Sequence, residues 1–310
     1  MLNLTKTTVL MAFSFIIFGQ NALANFTTLD NFANNPGELT ASYYIGSKNN
    51  KNLVVLLHGC VQSGEALAEQ SGLLALAKTH DFSLLVPQQS QNNNIKSCFN
   101  WFSEQDTNKD SGETLSIVNM IKALKQKQMA DNVYIVGLSA GGAMASNLLI
   151  HYPDLFTAGA VVAGIPYPCA NSLIKAISCM RQGPAQSTTE LVQEIKGLTS
   201  NRKILPPLSV WTGDADNVVN PLNAKRLANS WGMITSPNVT AVKSTQQGYQ
   251  RTQWLDEQGK IQVELVEIAS LGHGIPVKSS EKNGGQQGPF LLEAPVSAAK
   301  SIIDFWQINK

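Results

Sequence analysis

The chain has 310 residues, 43% of them apolar and 15% charged, with a formal net charge of +1 and four cysteines. That length holds one large α/β domain or two small ones. A near-neutral balance with no basic run and no aromatic-interleaved basic stripe argues against nucleic acid as a partner and favours a neutral substrate.

Residues 1–24 read as a signal peptide: Lys6 opens it, 9–18 is a short apolar run, and Ala22-Leu23-Ala24 offers an A-x-A cleavage site. The run is too short to span a bilayer, and no later segment is long enough, so no membrane anchor is expected after cleavage. Cleavage removes Lys6 and no acid, which brings the formal charge to zero. An even number of cysteines in an exported chain favours disulfides among Cys60, Cys98, Cys169 and Cys179, with the pairing open. No C-x-x-C and no His/Cys spacing of a zinc site occurs, so neither a metal nor another cofactor is expected.

Strand-like and helix-like segments alternate from about residue 40. Segments 42–45 and 53–57 read as strands, and 64–78 as a helix with Leu67, Leu74 and Ala77 at helical spacing. A strand at 82–86 is stopped by Pro87, and 88–94 is a polar loop. Helix 113–127 places Ile117, Ile121 and Leu124 on one face. Then come strand 132–136, helix 142–150 and strand 158–163. Residues 166–202 break the alternation with two short helical patterns and two cysteines, and read as a small cap-like insertion. Strand 208–211 resumes the sheet, 221–231 is helical, 249–255 and 261–268 flank a hairpin turn at 256–259, and 294–306 is the last helix. The pattern predicts a single α/β domain over 25–310, with a mostly parallel sheet, helices on both faces and the site at the carboxyl ends of the strands.

The most informative motif joins strand 132–136 to helix 142–150. It is Gly137-Leu138-Ser139-Ala140-Gly141, a G-x-S-x-G. Chance supplies roughly 0.1 such matches in a chain of this length. The strand before and the helix behind make it a nucleophile elbow, a strained turn that exposes the serine hydroxyl above the sheet. Ser139 is therefore the candidate nucleophile of a serine hydrolase.

A serine hydroxyl needs a base, and four histidines allow elimination. His80 and His151 sit at helix ends and are expected to face solvent or cap those ends. His58 closes the first long buried strand, in His58-Gly59-Cys60, where an oxyanion loop belongs. Behind an elbow of this kind the acid and then the histidine follow the serine. His58 and His80 precede Ser139, and His151 follows it too closely to leave room for the acid. His273, flanked by Gly272 and Gly274, remains. The acid belongs to the segment 211–221, where Asp214 and Asp216 compete. Asp214 fits a turn residue, Asp216 lies further out, and spacing leaves both open. The backbone N–H groups of Ala140, at a helix N-terminus, and Cys60 are the expected oxyanion donors.

Several ordered motifs then agree. Leu57-His58-Gly59-Cys60-Val61-Gln62, Val86-Pro87-Gln88-Gln89, Cys98-Phe99-Asn100-Trp101-Phe102, the elbow, Tyr152-Pro153-Asp154-Leu155-Phe156, Pro166-Tyr167-Pro168-Cys169-Ala170, Gly272-His273-Gly274 and the tail 288–306 resemble the polyhydroxybutyrate depolymerase-like esterases. These are α/β hydrolases related to feruloyl and acetylxylan esterases. The resemblance covers nearly all of the mature chain and implies an α/β-hydrolase fold. It carries the acid over to Asp216, through an H-G-x-x-D-x-x-V pattern in which Thr212 replaces the histidine. It implies the pairs Cys60–Cys98 and Cys169–Cys179, worth about 4 and about 3 kcal/mol as loop closures. It places Trp101 either in the acyl pocket or as a partly buried structural residue.

In function, the resemblance implies an exported serine esterase that cleaves hydroxyalkanoate esters, polymeric or oligomeric. The alternatives are a feruloyl or acetylxylan esterase and, from another class, an inactive binding protein on the same fold. Secreted depolymerases of this kind usually add a linker and a substrate-binding domain. The chain runs only to the last helix of the fold, so a soluble ester or an oligomer is expected as much as a solid polymer. Intact-mass analysis of the exported protein should find a mature chain starting at Asn25; a retained Met1 would contradict the cleavage site.

Overall fold

In the computed structural model, which describes residues 26–47, 51–199 and 205–308, side chains alternate across one twisted sheet and divide the core in two. The expected signal peptide lies outside the described residues. The strands are β1 (Thr27–Thr28), β2 (Thr40–Tyr44), β3 (Asn52–Leu57), β4 (Ser83–Gln88), β5 (Asn132–Leu138), β6 (Ala158–Val162), β7 (Leu208–Gly213), β8 (Val242–Gln246), β9 (Tyr249–Leu255) and β10 (Ile261–Ile268). Their spatial order is β1-β2-β4-β3-β5-β6-β7-β10-β9-β8. Neighbours from β4 through β10 pair parallel, and the strands outside them pair antiparallel. A small parallel pair, β11 (Ile275–Val277) and β12 (Leu291–Glu293), stands apart.

The helices are α1 (Gly64–Gln70), α2 (Leu73–His80), α3 (Glu104–Thr107), α4 (Gly112–Gln128), α5 (Ala140–His151), α6 (Leu173–Gln182), α7 (Thr188–Leu198), α8 (Leu222–Thr235) and α9 (Ala298–Trp306). On β3, Leu53, Val55 and Leu57 face a core shared with α4, α5, α7 and α8, and Val54 and Leu56 face one shared with α1, α2 and α9. Strand β5 repeats the division, with Val133 and Ile135 on the first side and Tyr134 and Val136 on the second. This period of two explains why the central strands read as continuous apolar runs: both faces are covered.

The structure corrects several expected boundaries. The helix expected over 64–78 is two helices, broken at Gly72, whose φ of +87° is left-handed. Pro87 does not stop its strand: β4 continues to Gln88, because β4 pairs with β3 only over 83–85 and Pro87 lies opposite Ala41 of β2. The last helix starts at Ala298, behind the Ser297 cap, instead of at 294. Strands β11 and β12 intervene between His273 and that helix. Strand β8 is fully exposed at the sheet edge, so its sequence carries no apolar alternation to read. Within the insertion, α7 packs on α8 and α6 joins a third apolar cluster beside the start of α5.

Trp231 of α8 is fully buried, and its indole N–H donates to the Pro206 carbonyl at 2.8 Å. Trp231→Ala should cost about 3–5 kcal/mol in a urea unfolding titration.

Candidate active site

Strand β5 delivers Ser139 to the carboxyl edge of the sheet, and α5 starts at the next residue. Ser139 holds φ 55° and ψ −118°, a conformation that costs an L-residue of order 1–3 kcal/mol. The flanking glycines permit it by close approach. A Cβ on Gly137 would lie 2.1 Å from the Gly141 carbonyl oxygen, and one on Gly141 would lie 2.3 Å from that of Leu57. The Ser139 N–H is anchored to the Val162 carbonyl of β6 at 2.9 Å.

Three distant segments meet at this turn. His273 lies in the loop between β10 and β11, with its Nε2 at 3.0 Å from Ser139 Oγ and its Nδ1 at 2.8 Å from Asp216 Oδ2. A carboxylate only accepts, so Nδ1 carries the proton and Nε2 is the acceptor for the serine hydroxyl. The other oxygen of Asp216 accepts the N–H groups of Val218 and Val219, both at 2.9 Å. The Asp216 side chain is fully buried and the imidazole nearly so. Asp214 is exposed and faces away: its Oδ1 accepts the Ser270 N–H at 2.6 Å and braces the loop that carries His273. The ring of Phe290 meets His273 edge-on at 6.2 Å.

The loop after β3 approaches from the other side. A Cβ on Gly59 would lie 3.4 Å from Ser139 Cβ. Among the described residues no acceptor pairs with the N–H groups of Cys60 or Ala140, so both are free to meet a developing negative charge. Cys60 is bonded to Cys98, and Cys169 to Cys179. Trp101 is buried in a cluster with Ala140, Ala143, Ala170 and Val219, to which Cys179 also belongs. Helix α6 contributes Ala176 and Cys179 to that cluster.

A buried polar network supports the loop, and sequence reading passed over it. His58 is fully buried, and its Nε2 accepts the Gln89 N–H at 3.1 Å, so its Nδ1–H donates to the Gly59 carbonyl at 2.6 Å. Desolvation lowers the pKa of His58, which keeps the ring neutral. The Gln89 side chain donates to Glu113 Oε1, and Asn100 donates to both Glu113 oxygens, by its side chain and its backbone at 2.8 Å each. Burial pushes the Glu113 carboxyl up to about 8, the nearby Asp106 adds to the rise, and the donors of Asn100 and Gln89 oppose it. Glu113 lies in the first turn of α4 and reads in sequence as the polar start of an amphipathic helix.

His151 does not face solvent, one of the two positions expected for it. It is 7% exposed and packs against Tyr167, whose hydroxyl lies 3.3 Å from its Nε2. A cavity of about 510 Å³ opens between α3 and the insertion, lined by Glu104, Tyr167, Asn171, Lys175, Gln186 and Glu194 among others. No histidine lines it, whereas Ser139 and His273 lie within hydrogen-bond reach of each other at the elbow. Among the described residues no group of acidic, His and Cys side chains is placed to hold a metal, and no helix is long and apolar enough to cross a membrane.

A family model described as Esterase PHB depolymerase matches residues 43–252. Poly(3-hydroxyalkanoate) depolymerase C of Paucimonas lemoignei is 34% identical over 293 residues, which cover 91% of this chain and 70% of that protein. Feruloyl esterase B of Talaromyces funiculosus is 28% identical over 275 residues, 83% of this chain and 75% of the relative. Among solved structures, an acetyl xylan esterase from Aspergillus awamori matches with a TM-score of 0.73 at 18% identity, over 91% of this chain and 99% of that one. The architecture is the α/β-hydrolase fold.

Burial, with Lys109 adding to it, lowers the pKa of His151 to about 4. A histidine at 6.5 in the unfolded chain and about 4 in the folded one contributes stability above pH 6.5 that is lost as pH falls toward 4. Glu113, raised to about 8, acts oppositely and favours the folded state as pH falls. The comparison that isolates the histidine is with His151→Phe, which should lose less stability than the parent between pH 6.5 and 4 in urea titrations.

Proposed function

The chain belongs to the Esterase PHB depolymerase family, a family of carboxylic ester hydrolases, and from that premise we propose that it is an exported serine esterase acting on hydroxyalkanoate esters, polymeric or oligomeric. The observation that carries the reading is the continuous relay from Ser139 through His273 to Asp216. Ser139 Oγ attacks the ester carbonyl and its proton passes to His273 Nε2. Asp216 accepts the Nδ1–H, holds the tautomer and stabilises the imidazolium. The N–H groups of Ala140 and Cys60 bind the oxyanion, at a helix N-terminus that favours negative charge. His273 returns the proton to the leaving alkoxide, then activates the water that cleaves the acyl-enzyme.

Trp101, clustered with Ala140, walls the acyl side of the site, and the insertion, which brings Ala170, Ala176 and Cys179 to the same cluster, serves as a cap on the single catalytic domain 25–310. The A-x-A site and the two cystine bridges support export. The 34% identity to a protein named as a poly(3-hydroxyalkanoate) depolymerase favours hydroxyalkanoate esters. The 28% relative named feruloyl esterase keeps a second reading, release of feruloyl or acetyl groups from polysaccharide.

Ser139→Ala should lower kcat/KM on p-nitrophenyl butyrate by about 10⁶-fold and abolish fluorophosphonate labelling. Asp216→Asn should lower kcat by about 10⁴-fold, while Asp214→Asn should keep kcat within about tenfold of the parent. Equal losses in the two aspartate variants would remove Asp216 from the relay. Faster turnover of hydroxybutyrate trimer than of methyl ferulate or acetylated xylan is expected, and the reverse would favour the second reading.

A further inference from the structure

The relay explains the nucleophile and its base, but not what holds the second oxyanion donor in place. Cys60 sits in a loop without regular structure, 79 residues before Ser139 in the chain. Two strings of contacts leave that loop, and both end on Glu113. One runs from Gly59 through the His58 ring to the Gln89 backbone N–H, and the Gln89 side chain donates to Glu113 Oε1. The other runs through the Cys60–Cys98 bridge to Asn100, whose backbone and side-chain N–H groups both donate to Glu113. The two strings close a ring. Its members are the oxyanion loop, the segment carrying Trp101, and the Glu113 carboxyl group.

Glu113 is fully buried, and among the described residues no cation pairs with it. The other fully buried glutamate, Glu264, has Arg251 at 3.5 Å and bonds Ser209, away from the elbow. Burial without a cation raises the Glu113 carboxyl to about 8, so near neutral pH it is largely the neutral acid, whose two oxygens can still accept hydrogen bonds. Glu113 accepts three, from two segments that both lead to the site. A glutamine cannot replace it: with the amide oxygen on the two side-chain donors, the amide N–H₂ faces the Asn100 N–H, donor against donor.

We propose that Glu113 is the positioning residue of the oxyanion loop, clamping the Cys60 N–H and the Trp101 segment into register with Ser139. It touches no substrate and acts through Gln89, His58 and Asn100. The proposal rests on the Ser139 esterase reading. An oxyanion donor is used chiefly in the transition state, so its displacement lowers kcat and spares KM.

The test is steady-state kinetics on p-nitrophenyl butyrate with the disulfide-intact protein, normalised to active sites titrated by a fluorophosphonate. Glu113→Gln should lower kcat by about 10–100-fold with KM within about twofold. Asn100→Ala, which removes the side-chain donor and keeps the backbone one, should show the same split at smaller size. If Glu113→Gln does not fold, Asn100→Ala decides alone. A parental kcat per active site in the variant that folds, whatever its melting temperature, overturns the proposal and leaves Glu113 as packing only. A kcat loss matched by a rise in KM also overturns it. Ser139→Ala, run in parallel, separates the outcomes: full activity there defeats the esterase reading itself, whereas an inactive Ser139→Ala beside an unchanged Glu113→Gln defeats only this inference.

Discussion

The turn at Ser139 forms only because backbone passes backbone at distances that admit no side chain. The Gly137 Cα faces the Gly141 carbonyl, and the Gly141 Cα faces the end of β3, each too close for a Cβ. This contact sets the positive φ of Ser139 and lifts its hydroxyl out of the sheet. It also starts α5 immediately behind the hydroxyl, so the N-terminal end of the helix dipole lies beside it. The strain is local, and it is held by a rigid surround: β5 sits between β3 and β6 with both faces buried.

Around that turn the molecule uses polar groups as spacers. Asp216 is held by two backbone N–H groups before it meets His273, so its orientation does not depend on the histidine. Asp214, two residues earlier, pins the loop that carries His273. On the opposite side, His58 acts as a neutral linker between the loop after β3 and the end of β4. Two histidines, close in chemistry, thus hold opposite roles because of what surrounds each. His58 has both ring nitrogens committed to backbone, and His273 has one committed to a carboxylate and one facing a hydroxyl.

The central strands, the helices on both faces and the elbow were legible because each writes its own local signal: apolar runs for doubly covered strands, a period of 3.6 for helices, and glycines for a tight turn. His273 was legible by elimination, since only four histidines compete. Other features left no such mark. The Gly72 break in the first helical pattern is a left-handed turn inside a run of good helix formers. Strand β8 pairs only at the sheet edge and buries nothing. His151 reads as a helix-end residue, yet Tyr167, sixteen positions later, covers it.

The sequence by itself determined the architecture, the candidate nucleophile and its base, because these depend on patterns within a dozen residues or on chain order. It left Asp214 and Asp216 as alternatives, between which the resemblance favoured Asp216, and it gave no sign of Glu113. Those answers belong to the tertiary structure. Which of two neighbouring carboxylates reaches an imidazole 57 residues away, and which buried glutamate gathers donors from two loops, is decided by how β7, β10, β4 and α4 are brought side by side in the sheet and its flanks. Local preference cannot encode a hydrogen bond whose partners meet only after the chain has folded.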